Sequence, residues 1–259
     1  MSNYWQDRLA ASQAKLSEKN RKQIEGQMRK YSQPASLRTI EGFEATYDKL
    51  LATLEKGKEA TPADLYKLDK YWQLQGQLRK ELQKLGEKQI ALLTKNFEIQ
   101  FFEIYYSYAL EGVEAFNTLN TEAVTQMIKE IWCADGVTWS QRVWNNIEKL
   151  TETLNEELIH CVATGAKTTQ LKEILQERFG VSYNNADMIA RTELAHIQTQ
   201  AAKKRYEDYG IQEVEIWADE DERRCEVCGK LHEKKYPVGA HVPIPAHPRC
   251  RCAIVPVVD

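Results

Sequence analysis

Apolar residues recur at three- and four-residue intervals through most of this chain, and only the last fifth changes to a two-residue alternation. The helical period is plain in Leu9, Leu16, Ile24 and Met28, and again in Ile40, Phe43, Tyr47, Leu50, Leu51 and Leu54. Ser32-Gln33-Pro34 between these runs predicts a break, because proline has no N–H to continue the ladder. Gly57 marks the second helix's end. Thr61-Pro62-Ala63-Asp64 combines a hydroxyl N-cap, a first-turn proline and an acid near the positive helix end. One helix is expected to follow, carrying Leu65, Leu68, Trp72, Leu78, Leu82 and Leu85 and continuing past Gly86. The stretch from Phe97 to Leu110 is densely aromatic, which reads as core or partner contact.

After a turn at Cys133-Ala134-Asp135-Gly136, Ser140 is placed to cap a helix running through Val143, Ile147, Leu150, Leu154, Leu158 and Ile159. Gly165 ends it, a short helix from Leu171 to Phe179 stops at Gly180, and a long one from Tyr183 ends near Gly210. Strand-like segments follow at Val214 and Ile216, at 235–238 and at 253–255. The fold class is therefore mainly α: an elongated helical N-terminal body over 1–135, then a region over 136–259 that ends in a small α+β, metal-stapled module from 214 onward. Cys133 and Cys161 are expected as buried thiols on helix faces.

Charge and composition narrow the role. Net charge is −3 with a pI near 6.1, unlike the basic balance of a general nucleic-acid scaffold. There is no apolar run of membrane-spanning length, and the first residues lack the apolar core of a signal peptide.

The strongest chemistry is in the tail. Cys225 and Cys228 form one hook; His247, Cys250 and Cys252 form a second. Two residues between thiols let a tight turn aim both sulfurs at one ion, and the second hook can complete a tetrahedron of zinc ligands. Two sets of four fit the spacing: Cys225, Cys228, His247 and Cys250, or Cys225, Cys228, Cys250 and Cys252. If 250–252 is extended, both thiols face one way and Arg251 the other. His232 and His241 are weaker candidates. Disulfides or free thiols are the alternatives to a metal. A closed set of four protein ligands implies a structural ion, since catalytic zinc keeps an open position. Arg223, Arg224, Arg249 and Arg251 flank the hooks, either offsetting thiolate charge or lying on the surface.

Ala190-Arg191-Thr192-Glu193, then Ala201-Ala202, Tyr206, Gly210 and Trp217, then 221–228 as D-E-R-R-C-E-V-C and 245–252 as P-A-H-P-R-C-R-C, resemble the Mu F-like head morphogenesis proteins of tailed phages. The resemblance covers about 140–259 and departs from the family at Leu231-His232-Glu233-Lys234, where a small or glycine turn is usual. It implies a non-enzymatic minor capsid component. Such a protein sits in the virion, inside the capsid near the portal, and in host cytoplasm during assembly. Its implied partners are the portal protein and the major capsid or scaffolding protein, with incidental contact with packaged DNA and none with membrane. One rival is an ADP-ribosyltransferase-like enzyme using Glu193, although Arg191 and Glu193, two apart on a helix, do not share a face. His196 is similarly a candidate base. The other rival is a zinc-ribbon nucleic-acid module, using Lys203-Lys204-Arg205 against a neighbourhood of acids.

Overall fold

Helix α1 spans Tyr4–Thr53 without interruption, with Pro34 inside it. The expected break at Ser32–Pro34 does not occur, although a proline interrupts the ladder. Burial on both sides overrides it: Ile24 and Met28 before, Ala35, Ile40, Phe43 and Tyr47 after, all are core residues. The computed structural model describes residues 4–53, 60–107, 120–218 and 224–257. Gly57, Tyr108 and Leu110 lie outside them.

Thr61 caps α2 (Pro62–Tyr66) through a reciprocal capping box with Asp64. The single helix expected from here is two, since α3 begins only at Asp69 and runs to Ser107. The break changes which aromatic faces inward. Tyr71 is 3% exposed and its hydroxyl donates to Asn155 Oδ1 at 3.0 Å, whereas Trp72 is 60% exposed. Helix α4 (Thr121–Lys129) is capped by Asn120, and α5 runs from Trp139 to Thr164. It begins one residue before the expected Ser140 cap. Trp139 is buried, and its indole N–H donates to Ile128 O at 3.0 Å.

Helix α6 is continuous over Thr168–Asp208, so Gly180 does not end a helix. It lacks the left-handed φ that would stop one, while Gly136, Gly165 and Gly210 all have it, at 68°, 65° and 70°. Gly210 follows the end of α6 and leads into β1 (Glu213–Trp217). Strand β1 is central, antiparallel to β2 (Lys235–Pro237) on one side and β3 (Ala253–Pro256) on the other. Between β1 and β2 lies α7 (Glu226–Leu231). The chain is thus mainly α, with one small sheet among the described residues, near the C-terminal end.

Spatial contacts divide the chain into two compact units, made of Met1–Glu25, Leu92–Trp139 and Met188–Asp259 in one, and Gly26–Ala91 and Ser140–Asp187 in the other. Both gather segments from either side of residue 135, a partition by contact and not by motif content. The second unit has a core of Phe43, Tyr47, Leu78, Leu154, Leu171 and their neighbours. There the Tyr47 hydroxyl donates to Cys161 O and Ala166 O, at 3.1 and 2.5 Å. The first unit buries Phe97, Phe101 and Tyr105, so these aromatics are core, whereas Tyr106 is exposed. This unit also contains every residue of both sulfur hooks.

Candidate metal centre

The first hook is a helix start. Cys225 has extended backbone angles (φ −78°, ψ 161°) and is the N-cap of α7, its Sγ accepting the Cys228 N–H at 3.3 Å. Cys225 O also accepts Gly229 N–H at 2.9 Å, which fixes the turn. The thiol of Cys228, three residues on in the same turn, is thereby aimed alongside the capping sulfur.

The second hook is held by backbone bonds. His247 Nδ1 lies 2.9 Å from Pro248 O; with the proton on Nδ1, the other ring nitrogen is left as a lone-pair donor. Cys250 N–H donates to His247 O at 3.1 Å. Arg249 between them has φ 61°, a left-handed conformation uncommon for a side chain of this size. It is supported from α6, where Thr192 Oγ1 accepts Arg249 N–H at 3.1 Å and donates to Met188 O at 2.7 Å. Thr192, in the middle of the Arg191–Glu193 segment, thus links α6 to the hook. Cys250 and Cys252 are both buried and Arg251 is exposed, the alternation an extended segment gives.

The hooks meet. His247 Nε2 is 3.3 Å from Cys225 Sγ and 3.1 Å from Cys228 Sγ, and Cys228 Sγ is 3.8 Å from Cys250 Sγ. Donor atoms of Cys225, Cys228 and His247 lie within 4.8 Å of one another, as do those of Cys228, Cys250 and Cys252. A tetrahedral zinc with sulfur at about 2.3 Å and nitrogen at about 2.0 Å needs S···S edges of about 3.8 Å and S···N edges of about 3.5 Å. These three separations match within a few tenths of an ångström, so Cys225, Cys228 and His247 are spaced to suit such an ion, with Cys250 joined to them through Cys228. All six cysteines are free thiols.

Protonation within the cluster is uneven. The Cys252 thiol donates to Cys250 and, against burial, holds its sulfur down to about 5, as a thiolate; the same bond and burial push Cys252 up. Burial raises Cys228 to about 12. The Cys228 backbone N–H lowers half-buried Cys225. For His247, burial opposes protonation, but its bond to Pro248 O and the Cys250 and Cys225 sulfurs raise it overall. A cation entering here would displace the protons that remain on sulfur, since only thiolates ligate.

The other candidates lie elsewhere. His232 Nδ1 accepts Ala218 N–H at 3.3 Å and its ring packs edge-on against Trp217, so it serves the sheet; His241 is exposed and outside the cluster. Glu193 is 2% exposed and accepts the Trp132 indole N–H at 2.8 Å. His196, 6% exposed, stacks on the same indole at 4.3 Å, and burial lowers its pKa to about 4. The basic run is engaged within the unit: Lys203 Nζ donates to Ala240 O, Lys204 pairs with Asp208, and Arg205 is buried beside the Tyr209 ring. Cys161 is buried in α5, but Cys133 sits in the turn before it, half-buried, and not on a helix face. Arg223 is outside the described residues. Sequence reasoning missed Gln13, whose amide donates to Tyr206 Oη and Ile254 O at 3.3 and 3.2 Å and ties α1 to β3. A single glutamine among many on a polar helix gives no signal of this.

Residues 152–255, which include both hooks, match the family described as Phage Mu protein F like protein. The resemblance read from the motifs of 140–259 is thereby shown over that span. No curated protein and no solved structure matches the chain.

Proposed function

We propose, from the Mu F-like match over residues 152–255, that this protein is a minor capsid component acting in the head morphogenesis of a tailed phage. In this reading it joins the portal or the inner capsid surface while the procapsid forms, meeting the portal, major capsid or scaffolding protein. Its place is then the virion interior near the portal and, before that, the host cytoplasm. The match carries the reading because it contains the entire donor cluster.

The role of the hooks in it is mechanical. Cys225, Cys228, His247 and Cys250 would hold a structural zinc, joined by the short S···N and S···S edges described above, with Cys252 buttressing Cys250. The ion would supply cross-linking between α7 and the segment before β3. A sheet of three short strands buries too little to hold such a segment alone.

Two observations favour an assembly role over the rival readings. Glu193 lies buried against an indole, which suits a structural carboxylate better than one that must meet a nicotinamide substrate. The Lys203-Lys204-Arg205 run is spent on internal partners, which weakens the case for a phosphate-binding face. The test is to tag the protein during phage production and isolate procapsids. Co-sedimentation with portal-containing particles, and loss of normal heads when the gene is removed, support the proposal. Absence from both procapsids and virions overturns it, and NAD hydrolysis sensitive to Glu193→Ala would install the enzyme instead.

A further inference from the structure

A cavity of about 510 Å³ opens within the first unit, and the second sulfur hook forms one of its walls. That volume falls in the range of sites for small molecules. Part of its surface is apolar, from Leu194, Ala195 and Ile254 among others. The rest is unusually cationic. Four arginines line it from three separate stretches of chain: Arg21 on α1, Arg191 on α6, and Arg249 and Arg251 on the hook.

Two carboxylates temper that charge. Glu18 lines the cavity and pairs with Arg21, and Glu25 lies 3.5 Å from Arg21 and 3.9 Å from Arg191. Arginine nevertheless supplies four of the residues that line the cavity. A second feature points the same way. Gln198 also lines the cavity, and its Nε2 is buried with no hydrogen-bond acceptor. A buried amide donor left unused costs about 1–3 kcal/mol, and an oxygen of a bound molecule would satisfy it.

We infer that this cavity binds a compact anionic ligand with paired oxygens, a phosphate or a dicarboxylate, gripped by Arg191 and the hook arginines and completed by Gln198. Guanidinium forks match the paired oxygens of both groups. The apolar wall sets aside room for a short carbon body. The inference stands independently of the capsid role.

Calorimetric titration of the full-length protein at low ionic strength, with sodium pyrophosphate and separately with sodium malonate, tests it. Saturable one-to-one binding of at least one is expected. Arg191→Ala should weaken it about tenfold or more, in line with loss of a charge-assisted pair. Ala14→Phe narrows the cavity from an exposed position without changing charge, and should weaken binding as well. Arg178→Ala, which removes a positive charge paired with Glu157 in the other unit, should leave affinity unchanged. Tighter pyrophosphate assigns a phosphoryl ligand and tighter malonate a carboxylate one. Should Arg191→Ala not fold, Ala14→Phe carries the test. The inference is overturned if neither anion saturates, if a folded variant of either kind binds like the wild type, or if Arg178→Ala weakens binding equally.

Discussion

The Trp132 indole N–H donates to Glu193 Oε2 at 2.8 Å, so a buried carboxylate near the hook is fastened by an aromatic side chain from the turn after α4. Trp132→Phe keeps the stack on His196 but strips this donor. The expected loss is about 1–3 kcal/mol of stability, read from denaturant midpoints. Glu193→Gln can still accept the bond and should cost less than Trp132→Phe. The reverse order would mean that Glu193 is held by something other than this bond.

Cys228 belongs to both donor triplets, while Cys252 reaches only Cys228 and Cys250. About one zinc per chain is expected in reduced protein. Cys225→Ser and Cys228→Ser should lose it and make the chain from residue 214 onward protease-sensitive, with helical circular dichroism largely kept. Cys252→Ser should retain the ion if Cys225, Cys228, His247 and Cys250 are the ligands. Elemental analysis of the variants decides, and metal lost from Cys252→Ser but kept in His247→Ala would assign the four-sulfur set.

Much of this was legible because the hooks are local: two-residue spacings and an adjacent histidine carry their own geometry, and three strands stood where the period changed to two. The helix ends were harder. Pro34 and Gly180 are breakers by chemistry, yet each lies in a helix whose flanking residues are buried, and burial of Ile24, Met28, Phe43 or Leu175, Phe179 and Ala186 outweighs a local cost of a few kcal/mol. The engagement of Lys203-Lys204-Arg205 was equally hidden, because their partners are remote carbonyls, acids and rings. Thr192 was noticed only as part of a motif, and its bond to Arg249 N–H spans 57 residues.

Burial holds His196 neutral, with its pKa lowered to about 4 against the usual 6.5. Above pH 6.5 neither the folded nor the unfolded chain protonates it, so its burial carries no proton-linked cost. As pH falls from 6.5 towards 4, only the unfolded chain takes up the proton, and stability is lost. His196→Phe, which keeps a ring against Trp132, should remove this slope. Between pH 7.5 and 5 the wild type should lose about 2 kcal/mol more than the variant in chemical denaturation. Parallel pH profiles would show that burial does not lower the pKa of His196.

Gly86 is closed over by Trp144, so that an added Cβ would lie 2.6 Å from the indole Cζ3. Glycine to alanine inside a helix ordinarily stabilises by about 1 kcal/mol. Here the sign should reverse, with Gly86→Ala lowering stability by about 1–3 kcal/mol because the indole must shift. Gly76, on the same helix with nothing within 4 Å, is the control, and Gly76→Ala should raise the melting temperature.

Strand β1 precedes both sulfur hooks and β3 follows them, so pairing of β1 with β3 encloses the donors in a loop whose ends are already joined. Capturing an ion and zipping the strands thus restrict the same stretch of chain, and whichever occurs first removes much of the disorder opposing the other. The terminal module should consequently form and melt in one cooperative step, with no stage in which a finished sheet surrounds unligated sulfurs.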